Sequence, residues 1–112
     1  GMKILIMGIT FKEDCPDVRN SKVFDILKKF SKYPFKLDVV DPYINEDLNI
    51  KLDINYSNQI SFKEKYDALL LLVSHKEFVK LKTQEWADLV NKDSLLFDLK
   101  GIIPRILNPI RI

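Results

Sequence analysis

Between an apolar run, Ile4-Leu5-Ile6-Met7, and an amphipathic run that starts near Ser21, the chain reads GITFKEDCPDVRNSK from Gly8 to Lys22. Lys12, Glu13, Asp14, Cys15, Asp17 and Arg19 crowd this one turn. Lys12 supplies a compact positive charge and Arg19 a bidentate donor, both suited to an anion. A second lysine, Lys100, follows the apolar run Leu95 to Asp98. Two cations beside the N-terminus of the helix that starts near Ser21 make a site for a phosphate or diphosphate. The competing reading is a set of surface ion pairs, Lys12 with Asp14 and Arg19 with Asp17, which contribute little. Cys15 lies near Arg19 and a helix start, a setting that can lower a thiol pKa. No base is assured beside it, so Cys15 reads as a structural residue.

These residues need a scaffold, and the apolar periodicity supplies one. Four short runs read as strands buried on both faces: Lys3 to Gly8, Leu37 to Val40, Ala68 to Val73 and Leu95 to Asp98. A fifth, weaker strand is expected near Ile50 to Leu52. Ser21 to Lys32 reads as a helix, with Val23, Ile26, Leu27 and Phe30 on one face and lysines on the other. Asn20 or Ser21 can cap its start, and Pro34 limits its end. Thr83 to Val90 reads as another helix, with Thr83 as its cap and Trp86, Leu89 and Val90 facing the core. Shorter helical pieces are expected around Phe62 to Tyr66 and His75 to Leu81. The tail Ile102 to Ile112 reads as an extended arm or a truncated remnant.

Strands alternating with helices imply an α/β fold: a Rossmann-like, open, mostly parallel sheet with helices on both faces. In such sheets ligands gather beyond the carboxyl ends of the strands. That rule selects Thr10 to Asn20, Asp41-Pro42-Tyr43 and Asp98-Leu99-Lys100-Gly101. It places Lys12 and Lys100 on one rim. The turn after the first strand has neither the glycines of a GxGxxG dinucleotide motif nor a Walker A loop. His75 reads as a helix-start or rim residue rather than a catalyst.

The bulk properties narrow the class. The 112 residues, 46% hydrophobic and 30% charged, fit one globular domain. Its expected span is 2–112, with Gly1 ahead of Met2 read as a tag scar. A net charge of +2 without a basic stripe argues against nucleic acid. One Cys and one His argue against a Cys/His zinc site, and no metal is expected. The longest apolar stretch, Ala68 to Val73, is too short to span a bilayer. No signal peptide is visible, and a reducing cytoplasm is expected.

The ordered motifs carry a resemblance. Gly8, Phe11, Lys12, Asp17, Arg19 and Ser21 fit Gly-x-x-Phe-Lys followed by Asp-x-Arg-x-Ser. Val39-Val40-Asp41-Pro42-Tyr43, Tyr66-Asp67-Ala68 with Leu70 to Val73 and His75, and Phe97-Asp98-Leu99-Lys100-Gly101 follow in order. Together they resemble the C-terminal domain of the UDP-glucose/GDP-mannose dehydrogenase family, from the first strand through Gly101. Cys15-Pro16-Asp17 and Ser74-His75-Lys76-Glu77-Phe78 look closest to the branch acting on UDP-N-acetylhexosamines in bacterial surface polysaccharide synthesis.

The resemblance implies an oxidoreductase that takes the C6 hydroxyl of a nucleotide sugar to a carboxylate by two NAD-dependent hydride transfers. The catalytic Cys and the NAD fingerprint of that family belong to segments ahead of this domain. This chain alone is therefore expected to be inactive, with no catalytic residue of its own. By resemblance, Phe11 and Lys12 touch the UDP-sugar. Lys100 does so where many members carry Arg. Arg19 reaches toward NAD held by an N-terminal domain of the same parent chain. The parent is expected to be a homo-oligomer. Two other readings stay open: a free-standing nucleotide-binding or regulatory module without oxidoreductase activity, and a purely structural interaction domain.

Overall fold

The structure, a computed structural model, describes residues 2–10, 14, 23–44 and 54–111. Among the described residues six strands form one sheet: β1 (Lys3–Met7), β2 (Lys36–Val40), β3 (Asn55–Ser57), β4 (Tyr66–Leu71), β5 (Val90–Asp98) and β6 (Ile110–Arg111). Helix α1 (Val23–Phe30) follows β1, while α2 (Lys76–Val79) and α3 (Thr83–Asp88) lie between β4 and β5. A single 3-10 turn, Arg105–Leu107, precedes β6. The spatial order is β3-β2-β1-β4-β5-β6 and every neighbouring pair is parallel. This is the doubly wound order, with its switch point between β1 and β4.

Period-two alternation divides the core. Ile4 and Ile6 of β1 and Leu37 and Val39 of β2 face one side with Leu27 of α1. Leu5 and Met7 of β1 and Leu69 and Leu71 of β4 face the other, with Phe78 of α2 and Trp86 of α3. Each central strand is thus apolar on both faces, which is why its sequence shows no polar alternation. Trp86 is a core residue, 1% exposed.

Several boundaries differ from the sequence expectation. β4 starts at Tyr66 and ends at Leu71, so Leu72 and Val73 leave the sheet as a buried loop. β5 starts at Val90, which pairs with Tyr66, and the register then shifts before Ala68 meets Leu95. Val90 therefore belongs to a strand, and α3 stops at Asp88. Lys82, not Thr83, is the N-cap of α3, and its backbone N–H donates to Glu85 Oε1 at 3.0 Å. No helix forms at Phe62 to Tyr66, where bends lead directly into β4. That short crossover leaves a groove of about 260 Å³ on the sheet face, lined by Lys36, Asp38, Asn55, Gln59, Glu64 and Tyr66 among others. The expected strand near Ile50 to Leu52 and the caps Asn20 and Ser21 lie outside the described residues; the observed edge strand is Asn55–Ser57. The tail forms the 3-10 turn and β6, which adds to the sheet beside β5.

Gly8 closes β1 against the loop that leaves β4. It has φ +96°, and a Cβ there would lie 2.6 Å from Val73 Cβ and 2.9 Å from the Val73 backbone N. Both the backbone conformation and the space exclude a side chain. Gly8→Ala is expected to lower stability by about 2–4 kcal/mol, combining φ strain with overpacking. Urea denaturation measures this, and an unchanged midpoint would contradict it.

Candidate functional site

The carboxyl ends of the central strands carry two buried carboxylates. Asp41 follows β2 and is fully buried. Its Oδ2 accepts the backbone N–H groups of Ile9 at 2.8 Å and Thr10 at 3.1 Å, and lies 3.0 Å from His75 Nε2. Its Oδ1 accepts the Tyr43 N–H at 2.9 Å. Asp41 therefore ties the segment leaving β1 to the turn after β2 and to the loop after β4. Burial by itself would raise its pKa. The hydrogen bonds from His75, Ile9 and Tyr43 outweigh burial and hold the carboxyl below the usual carboxylate value.

Asp98 ends β5 and is 1% exposed. Its Oδ1 accepts N–H groups from Lys100 at 3.1 Å and Gly101 at 2.7 Å, and its Oδ2 accepts that of Ile103 at 2.8 Å. Arg111 Nε of β6 lies 3.6 Å from Oδ2. Gly101 has φ +74°, which lets the chain curl back over the carboxylate. Both rim carboxylates are thus spent on backbone donors, not presented to a ligand.

Around the first carboxylate a polar cluster closes the switch point. His75 Nε2 is 2.9 Å from Thr10 Oγ1, and the Asp14 backbone N–H donates to His75 Nδ1 at 2.8 Å. Tyr43 packs on the imidazole in a tilted contact, with centroids 4.7 Å apart and the rings at 41°. Its hydroxyl donates to Glu77 Oε1 at 3.0 Å and lies 3.4 Å from Asp14 Oδ1. Partial burial, then the hydrogen bond and charge of Glu77, push the Tyr43 phenol up to about 12.

Of the sequence-derived site residues, Lys100 is placed: it is exposed on the loop after β5, and no carboxylate pairs with its ammonium among the described residues. Phe11, Lys12 and Arg19 lie outside the described residues, as does Cys15. His75 is the helix-start residue that the sequence suggested: it stands at the N-cap of α2, with no solvent exposure. Its importance and that of Asp14 had no local signal. Asp41 and Asp98 did have one, since an acid in or just after the last position of an apolar strand must find donors.

Residues 5–105 match the family model of the UDP-glucose/GDP-mannose dehydrogenase family, UDP binding domain. The chain belongs to that family. It is 31% identical to the UDP-N-acetyl-D-glucosamine 6-dehydrogenase of Salmonella typhi and 34% identical to that of Pseudomonas aeruginosa, covering 100% of this chain and 26% of each relative. Protein CapL of Staphylococcus aureus is 34% identical over 92% of the chain and 24% of its own length. The chain thus spans about a quarter of the relatives it matches. Among solved structures, the UDP-N-acetyl-mannosamine dehydrogenase Cap5O of Staphylococcus aureus superposes with a TM-score of 0.71 at 24% identity, covering the whole chain and 24% of Cap5O. That likeness supports the fold.

As a UDP-binding domain of this family the chain has the doubly wound sheet without the usual dinucleotide grip. In such a grip the backbone N–H groups after the first strand face a pyrophosphate. Here those of Ile9 and Thr10 are held by Asp41. Among the described residues of this turn, these two N–H groups therefore do not offer a pyrophosphate grip. Among the described residues, no group of three His, Cys, Asp or Glu is arranged to hold a metal, and no helix is long and apolar enough to cross a membrane.

The acid limit of stability follows from Asp41. Its folded pKa is depressed, so its contribution is complete above the unfolded value of about 3.9 and fades as pH falls through the folded value. Stability measured by denaturant titration is expected to fall as pH drops below about 4. Asp41→Ala should remove about 3–5 kcal/mol at neutral pH by orphaning buried donors. A variant as stable as wild type would refute the central role of this carboxylate.

Proposed function

We propose that the chain is the nucleotide-sugar-binding part of an NAD-dependent nucleotide-sugar 6-dehydrogenase, which oxidises a C6 hydroxyl to a carboxylate. The UDP-sugar meets the carboxyl rim, with Phe11, Lys12 and Lys100 as its contacts. NAD belongs to an N-terminal domain of the parent chain, and Arg19 reaches toward it across the domain boundary. The catalytic groups lie in that remainder, so this chain alone binds without turning over. The parent works as a homo-oligomer.

The observation that carries this reading is electrostatic, and it acts within the family match over residues 5–105. Asp98, two residues before Lys100, is buried under backbone N–H groups, whereas the Lys100 side chain is exposed and unpaired among the described residues. The loop therefore turns its negative charge inward and offers its positive charge to solvent, as a diphosphate requires. Lysine gives this position charge without the planar fork of arginine.

An NMR titration of the chain with UDP-N-acetylglucosamine tests the proposal. Weak binding is expected, with shifts centred on Phe11, Lys12 and Lys100. Lys100→Ala should weaken affinity about 10–150-fold, the worth of one charge-assisted hydrogen bond, while Lys100→Arg retains it. Equal affinity for wild type and Lys100→Ala would remove Lys100 from the site.

A further inference from the structure

The loop that carries Lys100 is fastened from two sides. On the inside, Asp98 Oδ1 accepts the N–H groups of Lys100 at 3.1 Å and Gly101 at 2.7 Å, and Oδ2 accepts that of Ile103 at 2.8 Å. The second fastening comes from Arg111, which stands opposite Asp98 in the parallel register of β5 and β6. Its Nε forms an ion pair with Asp98 Oδ2 at 3.6 Å, and its Nη2 donates to the Ile103 carbonyl. A Cβ at Gly101 would lie 3.7 Å from Nη1, so the guanidinium rests against the middle of the loop. One planar fork thus reaches both ends of the curl, Asp98 where it starts and Ile103 where it closes.

The path of the tail brings Arg111 to this place. Ile103 is fully buried, and Leu107 packs on the core. Asn108, with φ 55°, turns the chain after the 3-10 turn, and its N–H donates to the Arg105 carbonyl at 2.9 Å. Ile110 then pairs with Phe97, which sets Arg111 beside Asp98. The family match ends at residue 105, and Arg111 lies beyond it.

We infer that Arg111 is a positioning residue for the anion site: it clasps the curl from Asp98 to Ile103 and so fixes the backbone from which Lys100 meets the diphosphate of a nucleotide sugar. This rests on the reading of Lys100 as a contact of that ligand. The guanidinium is engaged by Asp98 and Ile103, so it acts through the loop. Without it Asp98 keeps its three backbone donors, and the fold persists while the loop gains freedom. A loop that must be ordered on contact binds more weakly.

A double-mutant cycle titrated with UDP-N-acetylglucosamine by NMR tests the inference, using wild type, Lys100→Ala, Arg111→Ala and the double variant. Arg111→Ala should bind about tenfold more weakly than wild type, yet change affinity less than about twofold once Lys100 is alanine. A general structural role would weaken both backgrounds equally; that result, or wild-type affinity in Arg111→Ala, would overturn the inference. Arg111→Lys keeps a charge for Asp98 without the fork and should bind about threefold more weakly. Wild-type affinity in this variant would also overturn the inference, even if Arg111→Ala does not fold. Where Lys100→Ala binds too weakly to complete the cycle, backbone amide relaxation of the free variants decides. Greater mobility at Lys100 and Gly101 is expected, and unchanged mobility would overturn the clasp. No binding by wild type, or binding indifferent to Lys100→Ala, would overturn the Lys100 reading and this inference with it. Binding weakened by Lys100→Ala and indifferent to Arg111 overturns the inference alone.

Discussion

A carboxylate without solvent access is tolerable only where donors replace its water, and the rim of this sheet is arranged around meeting that demand at Asp41. Its donors come from three places: the segment leaving β1, the turn after β2, and His75 after β4. Those are the ends of the three adjacent strands at the middle of the sheet. Satisfying one charge thus fixes the relative positions of three loops at the switch point. Gly8 makes this possible, since only a residue without a side chain lets the chain leave β1 so close to Val73. The same contacts use up the N–H groups of Ile9 and Thr10, the residues that leave β1 after Gly8.

Asp98 repeats the device at the other half of the sheet. It gathers three backbone N–H groups of its own loop and the guanidinium of Arg111, joining the end of β5 to the edge strand β6. Both acids would oppose an anionic ligand if they faced solvent. Turned inward and surrounded by donors, they act as loop staples and add no exposed negative charge to the rim.

The two faces of the sheet are covered unequally. α1 packs on one side, while α2 and α3 pack on the β4–β5 half of the other. The β3-to-β4 crossover has no helix among the described residues, so the β2–β3 half of that face is a groove. There Tyr66 donates to Asp38 at 2.6 Å. Burial, followed by the hydrogen bond and charge of Asp38, raises the Tyr66 phenol above its ordinary value.

The sequence by itself determined the four central strands, since short apolar runs such as Ile4 to Met7 and Leu69 to Leu71 can be buried only between two layers, but not the edge strands β3 and β6. It determined the parallel α/β class through their alternation with helical segments, and it gave Trp86 to the core through helical spacing. Its ordered motifs named the family. It misjudged Phe62 to Tyr66, where local polarity resembled a helix but the tertiary path allowed only a bend into β4, and it ended β4 too late because Leu72 and Val73 are apolar for a loop packed on Gly8. Only the tertiary structure decided the roles of Asp41, His75 and Asp14. Their contacts join residues 31 to 65 positions apart. A hydrogen bond depends on distance and direction in space, and periodicity along a chain encodes neither across such separations.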